Sequence, residues 1–284
     1  MPETAVPRTA DLHLHTRFSD GTETPERVVE LAKAAGVSCI AITDHDTLAG
    51  LPLAEPVAQR LGIELVPGVE MSASAGGVEV HLLGYWVDGA HAPFRAHLER
   101  QHSRRIGRIH EMVAQLGRVG VRIDAAEVLA LAGEGTVGRP HVARILVKRG
   151  YVATMPEAFD KYIGDGKPGF VPGSPIDPRG IIQLIRDAGG VPVLAHPMYL
   201  RNDALVEQFT RDGLAGIEAF HSSHPQELVL RYERLAERLK LLVTGGSDFH
   251  GDAKEGLPVG AVKVPYAMVD ALRRWKTAHL NATP

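Results

Sequence analysis

TADLHLHT (9–16), PERVVELAKAAG (25–36) and VSCIAIT (37–43) follow one another near the start of the chain, and together they decide the fold class. The first reads as a strand whose alternate side chains share a face. The second carries Pro25 at its start and Gly36 at its end, which is the punctuation of a helix. The third is a β-branched run suited to a strand buried on both faces. Working outward, IELVPGVEM (63–71), VEVHLLGYW (78–86), GVPVLAHP (190–197), GIEAFH (216–221) and LKLLVTGGSDFH (239–250) read as further strands. Helical patterns over 203–212 and 225–238 separate the later ones. This strand–helix alternation predicts a parallel α/β architecture, either a closed barrel or an open sheet.

The middle of the chain breaks the rhythm. Residues 95–175 are mostly helical patterns, ending in the Gly/Pro cluster GDGKPGFVPGSP (164–175). The reading is a helical insertion (95–175) in an α/β domain made of 9–94 and 176–284. Residues 95–167 hold 13 Lys+Arg against 8 Asp+Glu, whereas the rest of the chain holds 18 against 26. A basic cap over an acidic body points to an anionic substrate held between them.

Composition narrows the class of function. A net charge of −3 over 284 residues excludes a basic nucleic-acid coat. One cysteine, Cys39, excludes an intramolecular disulfide and a cysteine-based zinc cluster. Cys39 lies in a strand read as buried, so an inert thiol is expected. No apolar run approaches the ~20 residues of a membrane span. The first fifteen residues lack a signal-peptide layout, so a reducing cytoplasm is the expected compartment. Nothing calls for an obligate protein partner.

The 14 histidines carry the chemistry. His13 and His15 sit on one face of a strand, so their imidazoles can converge on one ion. Thr43-Asp44-His45-Asp46, Glu70, His196, Asp248 and His250 fall at the ends of other predicted strands. Asp20 follows the first strand, and His81 lies inside its own. Strand ends of an α/β barrel form one face, so these groups would meet at one mouth. Crowded carboxylates would repel or take up protons unless divalent cations make their ionised forms favourable. Imidazole with carboxylate and no thiolate suits manganese, iron or zinc. About nine candidate ligands exceed the need of one tetrahedral ion, so two or three ions fit better.

DLHLHTRFSDGT, AITDHDT, GVE, LAHP and GSDFH, in that order over residues 9–250, resemble the polymerase-and-histidinol-phosphatase (PHP) family of metal-dependent phosphoesterases. The resemblance implies an α/β fold of the distorted (β/α)7 barrel type with up to three metals, manganese first among them. It also implies that His13, His15, Glu70 and Asp248 hold one ion. Glu70 would bridge to a second ion held with His81 and His196, and Asp20, His45 and His250 would hold a third. The Asp20 position is often His in the family. Asp44 and Asp46 are expected to orient nearby imidazoles. Paired ions would share a hydroxide that attacks phosphorus in line, and no side-chain nucleophile is needed.

Other motifs are weighed against this reading. GEGTVG (133–138) matches GxGxxG but follows a helical pattern, so it fails the context of a dinucleotide-binding turn. Arg139 opens the next helix and is expected, with His141, to contact a substrate phosphate. Ser222 and His224 follow another strand and are candidate substrate contacts, with His224 also a candidate proton donor. His91, His97, His102 and His110 read as solvated helix residues, and Tyr85, Trp86 and Phe94 as core. Length and helical insert resemble the branch acting on nucleoside 3′,5′-bisphosphates and short 5′-phosphorylated RNA. The expected partner is therefore a phosphorylated nucleotide or short oligonucleotide. The alternatives are another phosphomonoesterase of the family, such as a histidinol phosphatase, and a non-catalytic metal-stabilised module that binds nucleic acid.

Overall fold

The computed structural model describes residues 7–173, 176–253 and 256–280. The chain runs β1 (Thr9–Leu14), α1 (Pro25–Ala34), β2 (Cys39–Ile42), α2 (Leu51–Leu61), β3 (Glu64–Ala75), β4 (Val78–Tyr85), α3 (Ala92–Arg118), α4 (Ala125–Ala132), α5 (Arg139–Lys148) and α6 (Met155–Ala158). A π-helical turn follows at Phe159–Ile163. The second half supplies α7 (Pro178–Asp187), β5 (Val191–Leu194), α8 (Asp203–Arg211), β6 (Gly216–His221), α9 (Gln226–Leu239), β7 (Leu242–Gly246), β8 (Val264–Pro265) and α10 (Ala267–Leu280). Among the described residues no helix is long and apolar enough to cross a membrane.

The strands form one curved sheet in the order β7-β6-β5-β4-β3-β2-β1-β8. Its ends approach where the His15 N–H donates to the Phe249 carbonyl and the Asp248 N–H to the His13 carbonyl, each at 2.9 Å. The result is a nearly closed α/β barrel, and the two-residue β8 is an addition to the seven expected strands. β1, β2 and β3 are parallel, as are β5, β6 and β7.

The parallel expectation fails at β4, which pairs antiparallel with both β3 and β5. The cause is local. Gly76 and Gly77 both have positive φ, 58° and 85°, which a two-residue hairpin of this kind requires. β3 therefore continues five residues past Glu70 and turns directly into β4, with no crossover helix.

Apolar faces of α1 and α2 pack on β1 and β2 around Val28, Val29, Ile40, Ile42 and Ala54. α7, α8 and α9 bury Ile181, Ile185, Phe209 and Leu235 against β3–β6. Tyr85 is fully buried and donates to the Leu12 carbonyl at 2.9 Å, and Phe94 is fully buried as well. Cys39 is buried, and its thiol is pushed up to about 12 by burial first and by Glu64, so it is held neutral.

Residues 109–171 build a separate apolar cluster, including Ile109, Met112, Leu116, Val142, Leu146 and Ile163. These helices lie over one end of the barrel. GEGTVG is the loop between α4 and α5, where the Thr136 N–H donates to the Phe18 carbonyl at 2.7 Å. A side chain at Gly135 would strike the Phe18 backbone, so its glycine serves close packing.

Gly246 lies against β1. A Cβ there would stand 2.4 Å from the His13 nitrogen and from its Cβ. Gly246→Ala should therefore push β7 from β1 at the barrel seam and cost roughly 2 kcal/mol or more of unfolding free energy. Urea midpoints of the two proteins measure it.

Candidate metal centre

Glu70 is the hub. It is 1% exposed and sits on β3, with its carboxylate divided between two groups of imidazoles. Its Oε1 lies 2.8 Å from His81 Nδ1 and 2.9 Å from His196 Nε2. Its Oε2 lies 3.2 Å from His13 Nε2, 3.1 Å from His15 Nε2 and 3.3 Å from His45 Nδ1. The antiparallel course of β4 explains His81. That strand begins at the functional end of the barrel, so its early residue His81 pairs with Ser72, two positions beyond Glu70. His45, His196, Asp248 and His250 follow β2, β5 and β7 by a few residues.

Four donors form a tight group beneath the cleft floor. His13 Nε2 and His15 Nε2 are 3.1 Å apart, and Asp248 Oδ1 lies 3.5 and 3.3 Å from them. Their hydrogen-bond partners fix where the protons are. His13 Nδ1 donates to Glu218 Oε1 at 3.0 Å. Ser19 Oγ donates to Asp44 Oδ1 at 2.6 Å, so it accepts from His15 Nδ1 at 3.3 Å. Each neutral ring carries one N–H, so both Nε2 atoms present bare lone pairs to each other. With two carboxylate oxygens added, the four need either extra protons or a cation between them. Donors about 2.0–2.2 Å from a common ion stand roughly 3.0–3.5 Å apart, and these do.

A second group lies beside it. His250 Nδ1 donates to the Asp248 carbonyl at 2.9 Å, which leaves Nε2 bare at 3.2 Å from Asp20 Oδ1. His45 Nε2 lies 3.7 Å from Asp20 Oδ2. Asp20 Oδ1, His45 Nδ1 and His81 Nε2 are buried without hydrogen-bond geometry to any partner. Buried polar atoms are rarely left so, and short approaches without a shared hydrogen are what converging ligands look like. The residues therefore fit divalent cations, in groups His13–His15–Asp248, His15–Asp20–His45–His250 and His45–Glu70–His81.

Residues to which the sequence reading gave no such role hold these candidate ligands in place. Glu218, buried in β6, accepts from His13 and, through Oε2, from the His196 backbone N–H at 2.8 Å. His221 Nδ1 accepts from the Ser223 N–H, so Nε2 carries the proton and donates to Asp248 Oδ2 at 3.1 Å. That leaves Asp248 Oδ1 to face the donor group. Of the two acids expected to orient imidazoles, neither bonds a ring directly. Asp44 binds the Thr16 N–H and hydroxyl and reaches His15 only through Ser19. Asp46 holds Arg105 of α3, at 2.6 Å from its Nη2.

Above the ligands opens a cleft of about 1220 Å³. Its floor includes Asp20, His45, Glu70, His81, His196, Asp248 and His250, and its walls include Arg139, Phe159, Lys167 and Tyr199. Arg139 is paired with Glu79 at 2.6 Å and Asp165 at 2.9 Å. His141, Ser222 and His224 are not brought to this cleft. His141 is buried and its Nδ1 accepts from the Gly138 N–H, which caps α5. His224 is buried, its Nδ1 donates to the Ala219 carbonyl, and its ring lies against Tyr232. Ser222 Oγ is buried without a partner. His97, expected to be solvated, is 7% exposed.

Metal-free, the centre holds protons. Burial pushes His15 down, but Asp248 and Glu70 outweigh it and hold the ring at about 9. Burial likewise opposes His81, which Glu70 and Glu79 lift to about 10. Burial drives His45 down to about 3, so that ring is neutral. Cations must displace the protons of His15 and His81. Metal affinity should therefore rise as pH goes from 6 to 9, with protons released on binding. Calorimetry in buffers of different ionisation heat reads this, and a pH-independent affinity would contradict it. Glu218→Gln should weaken metal binding about 10–100-fold while leaving circular dichroism unchanged.

Comparison with known proteins agrees with this chemistry. Residues 11–135 match the PHP domain. A 5′-3′ exoribonuclease of Haemophilus influenzae is 36% identical over 247 residues, covering 84% of this chain and 89% of its own. A 3′,5′-nucleoside bisphosphate phosphatase of Chromobacterium violaceum is 36% identical over 257 residues, covering 88% and 90%. A solved Bifidobacterium adolescentis structure, carrying the provisional designation metal-dependent phosphoesterase, superposes with a TM-score of 0.87 at 34% identity, covering 94% of this chain and 96% of its own. A buried histidine–carboxylate cage at the mouth of an α/β barrel, with relatives of this kind along nearly its whole length, places the chain in the PHP family of metal-dependent phosphoesterases, and it is a phosphoric ester hydrolase.

Proposed function

We propose that the enzyme removes the 3′-phosphate of nucleoside 3′,5′-bisphosphates, leaving a nucleoside 5′-monophosphate, and trims short 5′-phosphorylated RNA from its 5′ end. The observation that carries this reading is the division of Glu70. One carboxylate oxygen serves His81 and His196 and the other serves His13, His15 and His45, directly under a cleft walled by Arg139 and Lys167. In this reading His13, His15, Glu70 and Asp248 hold one ion, Glu70, His81 and His196 a second, and Asp20, His45 and His250 a third. Manganese is the proposed metal. The names of the Haemophilus and Chromobacterium relatives support the nucleotide substrate.

When bound, divalent cations supply Lewis acidity, offsetting phosphoryl charge and making water more acidic. The chain supplies the rest. Glu218, Ser19 and His221 orient the ligands so that reacting groups meet a preorganised field. Arg139 binds phosphate oxygens by its planar fork, exchanging Glu79 or Asp165 for the substrate. Phe159 and Tyr199 give the cleft apolar walls for the nucleoside.

A manganese-loaded preparation should release phosphate from adenosine 3′,5′-bisphosphate far faster than from histidinol phosphate, and chelation should abolish turnover. The reverse ranking would overturn the substrate, and tight oligonucleotide binding without any turnover would return the chain to a binding module. Asp248→Ala and His196→Ala should each lower kcat by about 10²-fold or more with the fold intact. Arg139→Ala should raise KM about tenfold and leave metal content unchanged.

A further inference from the structure

A second groove, of about 630 Å³, lies beside the cleft between the β3–β4 hairpin and α3. The two cavities share Gly77, Glu79 and Asp165, so they meet at the ion pairs that Arg139 makes. We propose that this groove is a binding track for the sugar-phosphate chain of a single-stranded oligonucleotide beyond the nucleotide held in the cleft. The inference rests on the nucleotide reading above and extends it to a place on the molecule.

Three arginines of α3 line the groove: Arg104, exposed; Arg105, anchored on Asp46 and Ser72; and Arg108, whose Nε donates to the Val171 carbonyl at 2.8 Å. Positions 104 and 108 are one helical turn apart and share a face, a spacing that suits successive contacts to one strand. Burial, then the Arg139 guanidinium, pushes Arg108 down to about 10, opposed by Glu79 and Asp165 of the same groove. A phosphate there offsets the buried positive charge.

Gln101 adds an independent observation. It is 2% exposed, lines the groove, and its Oε1 has no hydrogen-bond partner. A buried amide oxygen needs a donor, and a ribose 2′-hydroxyl is one. Phe170, half-buried in the same wall, offers a ring face on which a base can stack. Room supports the assignment too. The cleft alone exceeds the ~300–1,000 Å³ that a single small ligand occupies, and the groove extends it.

The test compares Arg104→Glu and Arg108→Gln with the unchanged chain. The probes are a fluorescein-labelled, 5′-phosphorylated RNA pentamer and adenosine 3′,5′-bisphosphate. Fluorescence anisotropy on metal-free protein should show Arg104→Glu weakening pentamer binding about tenfold. The dependence of log Kd on log salt should become shallower by about 0.7 for each phosphate that the variant no longer neutralises. In manganese, the KM for the pentamer should rise by a similar factor, while that for the bisphosphate stays within about twofold. Unchanged pentamer affinity and salt slope would overturn the track, and so would an equal rise for both substrates. Circular dichroism verifies that Arg104→Glu keeps the fold. If the bisphosphate is not hydrolysed at all, the nucleotide reading fails, and the anisotropy still decides the groove.

Discussion

A carboxylate with five imidazoles around it is the constraint on which the structure turns. Glu70 is almost completely buried, and an isolated charge in that position would cost several kcal/mol. It is tolerated because His13, His15, His45, His81 and His196 surround it and share positive charge or cations with it. Burial raises the Glu70 carboxyl, but the imidazoles around it outweigh that and hold it well below the usual range. The residues around it come from four other strands or their ends, so the barrel has to close before the charge is compensated. The fold and the centre therefore depend on each other.

The helices of residues 92–163 are fastened to the loops that carry the candidate ligands. Arg105 reaches Asp46 next to His45, Arg144 reaches the Asp20 carbonyl, and Thr136 reaches the Phe18 carbonyl. Arg139 pairs with Glu79, whose Oε1 stands 3.6 Å from His81 Nε2. Part of the basic excess read from the sequence is thus taken up by internal pairing. The charge asymmetry joins cap to barrel first, and pairs such as Arg139–Glu79 line the cleft.

Much of this was legible in the sequence, and what escaped has physical reasons. Strand ends and metal-ligating residue types are encoded locally, so His13, His15, His45, His196, Asp248 and His250 could be placed at one mouth. The direction of β4 depends on two glycines. Gly-Gly between β-rich runs is a hairpin signal, and the alternation of strands with helices masked it. Glu218 was hidden inside the apolar strand GIEAFH. Its isolation there, an acid with no solvent-facing neighbour, was the available sign of a buried partner. His141, Ser222 and His224 share the residue types of ligands and substrate contacts, yet backbone capping and packing account for where they lie. Residue type constrains chemistry, and only the path of the backbone decides which cavity a side chain faces.

That path is held by force at three positions. Asp46, His196 and Asp248 have positive φ, 50°, 24° and 51°, a region that costs non-glycine residues about 1–3 kcal/mol each. In each case the residue's own N–H is tied to the centre. Asp46 donates to the Glu70 carbonyl at 2.9 Å, Asp248 to the His13 carbonyl at 2.9 Å, and His196 to Glu218 Oε2 at 2.8 Å. The strain and the hydrogen bond belong to one device. A sharp turn just past the strand brings the next side chain back over the barrel mouth, and the N–H bond keeps the turn from relaxing. Glycine would make the turn without strain but would carry neither a candidate ligand nor, at position 46, the carboxylate that holds Arg105. Placing an imidazole or carboxylate there requires a side chain in a conformation it resists, held by the same network that it helps to complete.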